Sequence, residues 1–300
     1  MKILVSGSTG LVGTALIKSL TNDGHEVVRL VRREPSPGAL EIEWHPNQGR
    51  IDSQHLEGLD AVVHLAGESI ASGRWSEARK RSIRESRTKG TSLLSESLAR
   101  MSRPPSVFLS ASAIGYYGNR GDELLKESSA PGNDFLADVC LEWEAATKAV
   151  VEKGIRTVYA RFGVILDTQG GALAKMLTPF RMGIGGRVGE GTQWMSWVAL
   201  DDVVAALRLL IADESISGPV NIVAPNPVTN AEFTRTLGRT LSRPTIFPMP
   251  AFGARLAFGE MADALLLSSQ KVEPSVLEDK GFRFSWPTLE PALKHILAAG

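Results

Sequence analysis

Cysteine is nearly absent: among 300 residues only Cys140 occurs, so no internal disulfide can form. No cysteine–histidine spacing resembles a zinc site, no metal is expected, and a reducing compartment follows. Excess charge of either sign is missing too. Lysine plus arginine total 33 and aspartate plus glutamate total 33, so no overall field draws the chain toward nucleic acid or an anionic membrane. Small molecules are the expected partners, with the chain as a monomer or homodimer. No apolar run is long enough to span a bilayer. The opening Met1-Lys2-Ile3-Leu4-Val5 reads as a strand running straight into a glycine loop, which leaves no room for a signal or transit peptide. Together these exclusions make the cytoplasm the expected location. There is also no internal repeat and no low-complexity tail.

What is present is an alternation of short apolar runs with longer segments of helical period, the pattern of parallel βαβ units. Strands are predicted at Lys2–Ser6, Glu26–Val31, Ala61–Ala66, Ser106–Ser110 and Arg156–Arg161, mostly as continuous apolar runs suited to a sheet covered on both faces. Helices keep one apolar side, as with Val12, Leu16 and Leu20, or Phe135, Val139, Trp143, Ala146 and Val150. Beyond Gly163 the texture changes to glycine-rich loops, then a helix at Asp201–Ile211, a strand at Pro219–Val223 and proline-punctuated helical pieces. The expected fold is α/β: a Rossmann-type doubly wound parallel sheet in residues 1–162, followed by a smaller, mixed substrate-pocket and lid region in 163–300.

Directly after the first strand stands Gly7-Ser8-Thr9-Gly10-Leu11-Val12-Gly13, opening into an amphipathic helix. Glycines at this spacing allow a tight turn, let a pyrophosphate approach bare backbone, and bring helix and strand close. The helix start near Leu11 then presents free N–H groups and a positive dipole end to phosphate. Such triplets also serve as plain strand–helix turns; the position between strand and helix is what favours a dinucleotide. At the end of the second strand, where a carboxylate would hold the ribose hydroxyls of NAD, the chain carries Val31-Arg32-Arg33. Guanidinium groups there suit the 2′-phosphate of NADP(H), with Arg32 ahead of Arg33 because it is nearer the strand, although a solvated basic turn is the simpler alternative. The third predicted strand ends in His64-Leu65-Ala66-Gly67-Glu68, whose small residues would let the cofactor lie close.

With these motifs the chain resembles the extended short-chain dehydrogenases/reductases. It is most similar to their atypical, epimerase-like subgroup with a small C-terminal domain of unknown function, sometimes labelled a cell-division inhibitor. Further marks are Ser112-Ala113-Ile114-Gly115-Tyr116-Tyr117-Gly118, Asp134-Phe135-Leu136-Ala137 with Trp143-Glu144, Arg161-Phe162-Gly163, Trp194-Met195-Ser196-Trp197, Asp201-Asp202 and Leu265-Leu266-Leu267-Ser268-Ser269-Gln270. The resemblance implies cofactor contacts at Gly7, Gly10 and Gly13, Val31 and Arg32, Leu65 and Ala66, then Ser82, Arg87 and Arg161. Arg87 reads equally as a solvated helix charge. Arg161 closes an apolar strand at the carboxyl edge, where a guanidinium without a partner would be costly.

Reductases and epimerases of this superfamily use a serine, a tyrosine and a lysine four residues later that favours the phenolate. Ser112 matches the serine. The pair does not: anchored on Glu144, Leu136 falls at the tyrosine and Cys140 at the lysine, and Cys140 reads as a small buried hydrophobe. Tyr116 and Tyr117 are the nearest phenols, expected at the cleft mouth, where one could donate a proton or both could be core or gating aromatics. Glu68 could act as an acid/base, or remain a solvated loop carboxylate. Met176, Phe180, Met182, Trp194, Met195 and Trp197 are expected to line a substrate pocket, and Asp201-Asp202 to cap a helix. These features favour an NADP(H)-dependent oxidoreductase or epimerase-like enzyme for a small carbonyl or hydroxyl compound; the missing pair keeps open a non-catalytic NADPH sensor or interaction module.

Overall fold

The computed structural model describes residues 1–299. In chain order the strands are β1 (Lys2–Ser6), β2 (Glu26–Val31), β3 (Glu41–His45), β4 (Arg50–Ile51), β5 (Ala61–His64), β6 (Val107–Ala113), β7 (Leu124–Leu125), β8 (Arg156–Phe162), β9 (Val164–Leu166), β10 (Trp194–Met195), β11 (Trp197–Ala199), β12 (Gly218–Ile222), β13 (Val228–Thr229) and β14 (Lys271–Val272). The helices are α1 (Leu11–Asn22), α2 (Glu77–Ala99), α3 (Phe135–Ala145), α4 (Lys148–Glu152), α5 (Gly171–Arg181), α6 (Leu200–Ala212), α7 (Asn230–Leu241), α8 (Ala251–Phe258), α9 (Glu260–Leu265), α10 (Ser275–Asp279) and α11 (Leu289–Ala299).

Eight strands form one sheet in the order β12-β8-β6-β5-β1-β2-β3-β4, parallel except for β4. From β1 the chain runs outward through β2 to β4, then crosses back to β5 on the other side of β1. The direction of winding therefore reverses between β1 and β5, and the crevice at their carboxyl ends is where such folds bind ligands.

Both sheet faces are buried, as continuous apolar strands require. Ile3, Val5, Val63, Leu109 and Val158 pack with Leu16 and Leu20 of α1 and Val203, Leu207 and Leu210 of α6. Alternate residues Leu4, Val62 and Phe108 pack with Leu94 and Leu98 of α2, Val150 of α4, and Ile42 and Trp44 of β3. A further core joins β9, α5, β11, α7 and α11 through Leu166, Leu177, Phe180, Trp197, Phe233, Leu237 and Leu293.

Sequence and structure agree on β1 and β2 residue for residue. Elsewhere ends shift: β5 stops at His64, β6 runs on to Ala113, β8 to Phe162, and β12 covers Gly218–Ile222. Strand β3 was not foreseen. Its residues Glu41-Ile42-Glu43-Trp44-His45 bury only Ile42 and Trp44, so it lacks the continuous apolar signature of its neighbours. Short pairs β9–β11, β10–β13 and β7–β14 tie the second half of the chain together and back to the loop after β6.

Candidate functional site

The turn between β1 and α1 is built around close backbone contact. Gly7 sits at φ +67°, and a Cβ there would lie 2.8 Å from the Leu65 carbonyl group; one at Gly13 would collide with the Gly7 carbonyl oxygen. Gly10 donates to Gly7 O at 3.0 Å and accepts from Thr14 N at 2.9 Å, which starts the helix. Helices α2, α3 and α7 are capped by the side chains of Ser76, Asp134 and Thr229. Helix α1 has no side-chain cap and no acidic residue in its first turn. Its leading N–H groups and dipole therefore face the crevice unneutralised, which fits a diphosphate. Ser8 is buried, Leu11 and Val12 are half-buried, and Thr9 and Gly10 are exposed at the crevice. The Leu11 side chain packs on Gly170 and Gly171.

Beside this turn the end of β5 is pinned from β1. Ser6 Oγ accepts from Leu65 N at 3.0 Å and Ala66 N at 3.2 Å, so its own proton goes to His64 Nδ1 at 2.7 Å. His64 Nε2 then carries the other proton and donates it to Thr91 Oγ1 at 3.0 Å, which also receives Trp143 Nε1 at 3.0 Å. The imidazole is fully buried, and burial pushes its pKa down to about 4. A histidine depressed in the folded state takes up its proton first when unfolded, so it removes stability as pH falls below about 6.5, at about 1.4 kcal/mol per pH unit until its folded pKa. Urea unfolding of wild type and His64→Gln should show the wild type losing about 2 kcal/mol more between pH 6.5 and 5. Parallel pH profiles would contradict the assignment.

At the end of β2 the two arginines diverge. Arg33 forms a bidentate pair with Glu41 at 2.7 and 3.0 Å and also reaches Glu34 O and Ser36 Oγ. The Ser36 N–H, and then Arg33, hold the Glu41 carboxyl below its usual range. Arg32 is exposed, and among the described residues nothing pairs with it. Half-buried Val31 stands beside it on the strand.

After β5, Gly67 lies against the Arg87 guanidinium, 3.4 Å from where a Cβ would stand. Arg87 donates to Glu68 O at 3.0 Å and Ile83 O at 2.9 Å and faces the Trp143 ring at 5.0 Å. It is therefore a half-buried brace for this loop, and the reading as a solvated helix charge is corrected. Ser82 donates to Glu68 at 2.9 Å, and Arg79 pairs with the same carboxylate at 2.7 Å. Glu68 is thus held by two partners.

A polar network occupies the end of β6. Ser112 Oγ donates to Glu144 Oε1 at 2.7 Å, and Arg161 grips both Glu144 oxygens at 2.8 and 2.9 Å. Arg161 is 3% exposed, so the partner it lacked in the sequence reading is Glu144. Its guanidinium also lies 3.5 Å from the centre of the Tyr116 ring and donates to Tyr117 Oη at 3.1 Å. Tyr117 is corrected from the cleft mouth to the interior: it is fully buried, donates to Asn221 Oδ1 at 2.7 Å, and burial pushes its pKa up to about 12. Neighbouring Tyr116 is half-buried, and among the described residues its hydroxyl has no partner. Leu136 and Cys140 pack on Gly115, and burial pushes the Cys140 thiol up to about 12.

At the substrate end, Phe180 and Trp197 belong to the core and are removed from the expected lining, because α5 and β11 turn them inward. Trp194 is half-buried and donates to Asp122 at 2.7 Å, while Met182, Arg181 and Arg187 are exposed. Asp202 does not cap α6. Its buried carboxylate accepts from Ser285 N at 2.7 Å and Trp286 N at 3.0 Å, anchoring the chain before α11. Among the described residues no cluster of histidine, cysteine, aspartate or glutamate could hold a metal, and no helix is long and apolar enough to cross a membrane.

With this geometry in place, residues 3–223 match the model of the NAD dependent epimerase/dehydratase family. The chain belongs to that family. Residues 249–296 match a domain of unknown function. An epimerase family protein of Mycobacterium bovis is 45% identical over 291 residues, covering 97% of this chain and 96% of its own. The crystal structure of the human epimerase family protein SDR39U1 with NADPH superposes with a TM-score of 0.92 at 35% identity, covering 99% of both chains. That of a nucleoside-diphosphate sugar epimerase from Corynebacterium glutamicum gives 0.83 at 39% identity, covering all of this chain and 58% of that one. Membership in the epimerase/dehydratase family with an appended C-terminal unit thus agrees with the sequence resemblance, and the α/β Rossmann architecture is as expected. Glu144, Asn221 and Gln270 matter to the site but were not singled out as site residues. Asn221 is polar within an otherwise apolar strand, a signal that could have found it, whereas Glu144 and Gln270 sit among other polar residues and carried none.

Proposed function

We propose that this member of the family binds NADP(H) and works as an oxidoreductase or epimerase-like enzyme on a small carbonyl or hydroxyl compound. The observation that carries the reading is the uncapped, acid-free start of α1 facing the crevice, with Arg32 unpaired at the neighbouring strand end. The N–H groups following Gly10 would take the diphosphate, Arg32 the 2′-phosphate, and Leu65 and Ala66 the adenine side. The human relative bound to NADPH supports the choice of cofactor. When bound, the nicotinamide supplies hydride transfer.

The chain's own share of the chemistry is orientation and proton handling. Ser112 already donates its hydroxyl hydrogen to Glu144, so toward a substrate hydroxyl it would act only as an acceptor. Tyr116 is the phenol with an open hydroxyl, while Tyr117 is committed to Asn221. Purified protein with NADPH should lose absorbance at the nicotinamide band against some member of a broad carbonyl panel. Tyr116→Phe should lower that rate about a hundredfold or more with NADPH affinity unchanged. A second reading, a non-catalytic NADPH sensor, is favoured by the apolar filling of Leu136 and Cys140. An intact cofactor across the whole panel would select it and overturn the enzyme.

A further inference from the structure

The C-terminal unit reaches into the site through two residues, Ser269 and Gln270, from one of the sequence motifs the proposed chemistry leaves unused. The Gln270 side-chain amide donates one N–H to Ile114 O at 3.1 Å and the other to Gly118 O at 3.2 Å. These carbonyls belong to the first residue of the 3-10 turn Ile114–Tyr117 and to the residue that ends it. Ser269 continues the grip: its Oγ donates to Gly121 O at 2.7 Å, its N–H to Asn119 Oδ1 at 3.1 Å, and its carbonyl accepts from Arg120 N at 3.0 Å. The same two residues face β10, where Ser269 Oγ accepts from Trp194 N and Gln270 N donates to Trp194 O. Downstream, β14 pairs with β7, and Val276 N donates to the buried Glu127 carboxylate.

We infer that Gln270 is a positioning residue: its amide clamps both ends of the turn that holds Tyr116 over the Arg161 guanidinium, and this clamp is what the C-terminal unit contributes to the site. A glutamine suits the task because it is neutral and offers two donors in one plane, like a detached peptide group. The turn needs such a clamp. Gly118 leaves it at φ +65° and packs so closely on Gly132 that a Cβ on Gly132 would have no room, and the turn lies outside any sheet ladder that could satisfy its carbonyls. Without the clamp, the carbonyls of buried Ile114 and Gly118 lose their donors and the turn loses its fixed distance from β10.

The inference rests on the proposed NADP(H) reading, and its test separates the two. Gln270→Met keeps length and volume but removes both donors. In the cofactor-free protein, amide hydrogen exchange at residues 115–121 should quicken about tenfold, with exchange in β1 and α1 unchanged and Tm within a few degrees of wild type. With cofactor, affinity for 2′-phospho-ADP-ribose, which lacks nicotinamide, should stay within about twofold, while the emission of bound NADPH shifts. Unaltered exchange in the turn overturns the inference. So does an equal loss of both ligands together with a collapsed Tm, which would make Gln270 a support of the fold alone. Failure of wild type to bind NADPH would sink the functional reading, and the exchange arm would still decide the clamp.

Discussion

Gly13→Ala should weaken NADPH binding about a hundredfold or more, equivalent to ~2.7 kcal/mol, in a titration that leaves the far-ultraviolet circular dichroism unchanged. The added methyl group would fall on the Gly7 carbonyl oxygen, a backbone atom with no freedom of its own. Gly7 in turn abuts Leu65 and Ala66, which are tied to Ser6. Relief must therefore come from moving the start of α1 away from β1. That shift misaims the N–H groups that would meet the diphosphate, and donors displaced by an ångström lose most of their charge-assisted bond. Gly24→Ala is the control: nothing lies within 4 Å of a Cβ there, and although its φ of +79° strains any side chain, the cost is to stability and not to the cofactor. Equal loss of NADPH affinity in both variants would contradict the argument.

Glu144→Gln and Arg161→Met should each lower stability by about 3–5 kcal/mol, measured by urea unfolding. Each leaves one charge of a buried, bidentate pair without its counterpart. The partner left behind also has neighbours it cannot satisfy: Ser112 loses its acceptor charge in the first variant, and Tyr117 Oη and Glu127 O lose a donor in the second. The double variant removes both charges together, so it should be more stable than the sum of the two losses predicts, with a coupling of about 2 kcal/mol or more. Additive losses would mean that Glu144 and Arg161 do not depend on each other in the fold.

What could be read from residues alone was local. Strands β1 and β2, the glycine turn and the α1 face are set by neighbours in sequence, and they emerged with their ends in place. Cys140 as a small buried hydrophobe was equally legible, because it stands on the apolar side of its helix. Long-range pairing was not legible. The pairing of Arg33 depends on Glu41, which lies eight residues away and reaches it only because β3 pairs with β2. Tyr116 and Tyr117 are adjacent in sequence, yet the 3-10 turn leaves one half-buried over Arg161 and buries the other against Asn221 of β12. Trp197 and Phe180 look like pocket aromatics until β9, α5 and α11 close around them. Asp202 at a helix start reads as a cap, but the segment it holds is some eighty residues further on.

Calorimetric titration of wild type and Arg32→Asp with NADPH and with NADH tests the central claim most directly. The account predicts tighter binding of NADPH than NADH by wild type, and in Arg32→Asp a loss of about tenfold to a hundredfold for NADPH with NADH little changed. No binding of either nucleotide to wild type, or equal affinity for both with Arg32→Asp indifferent, would contradict it.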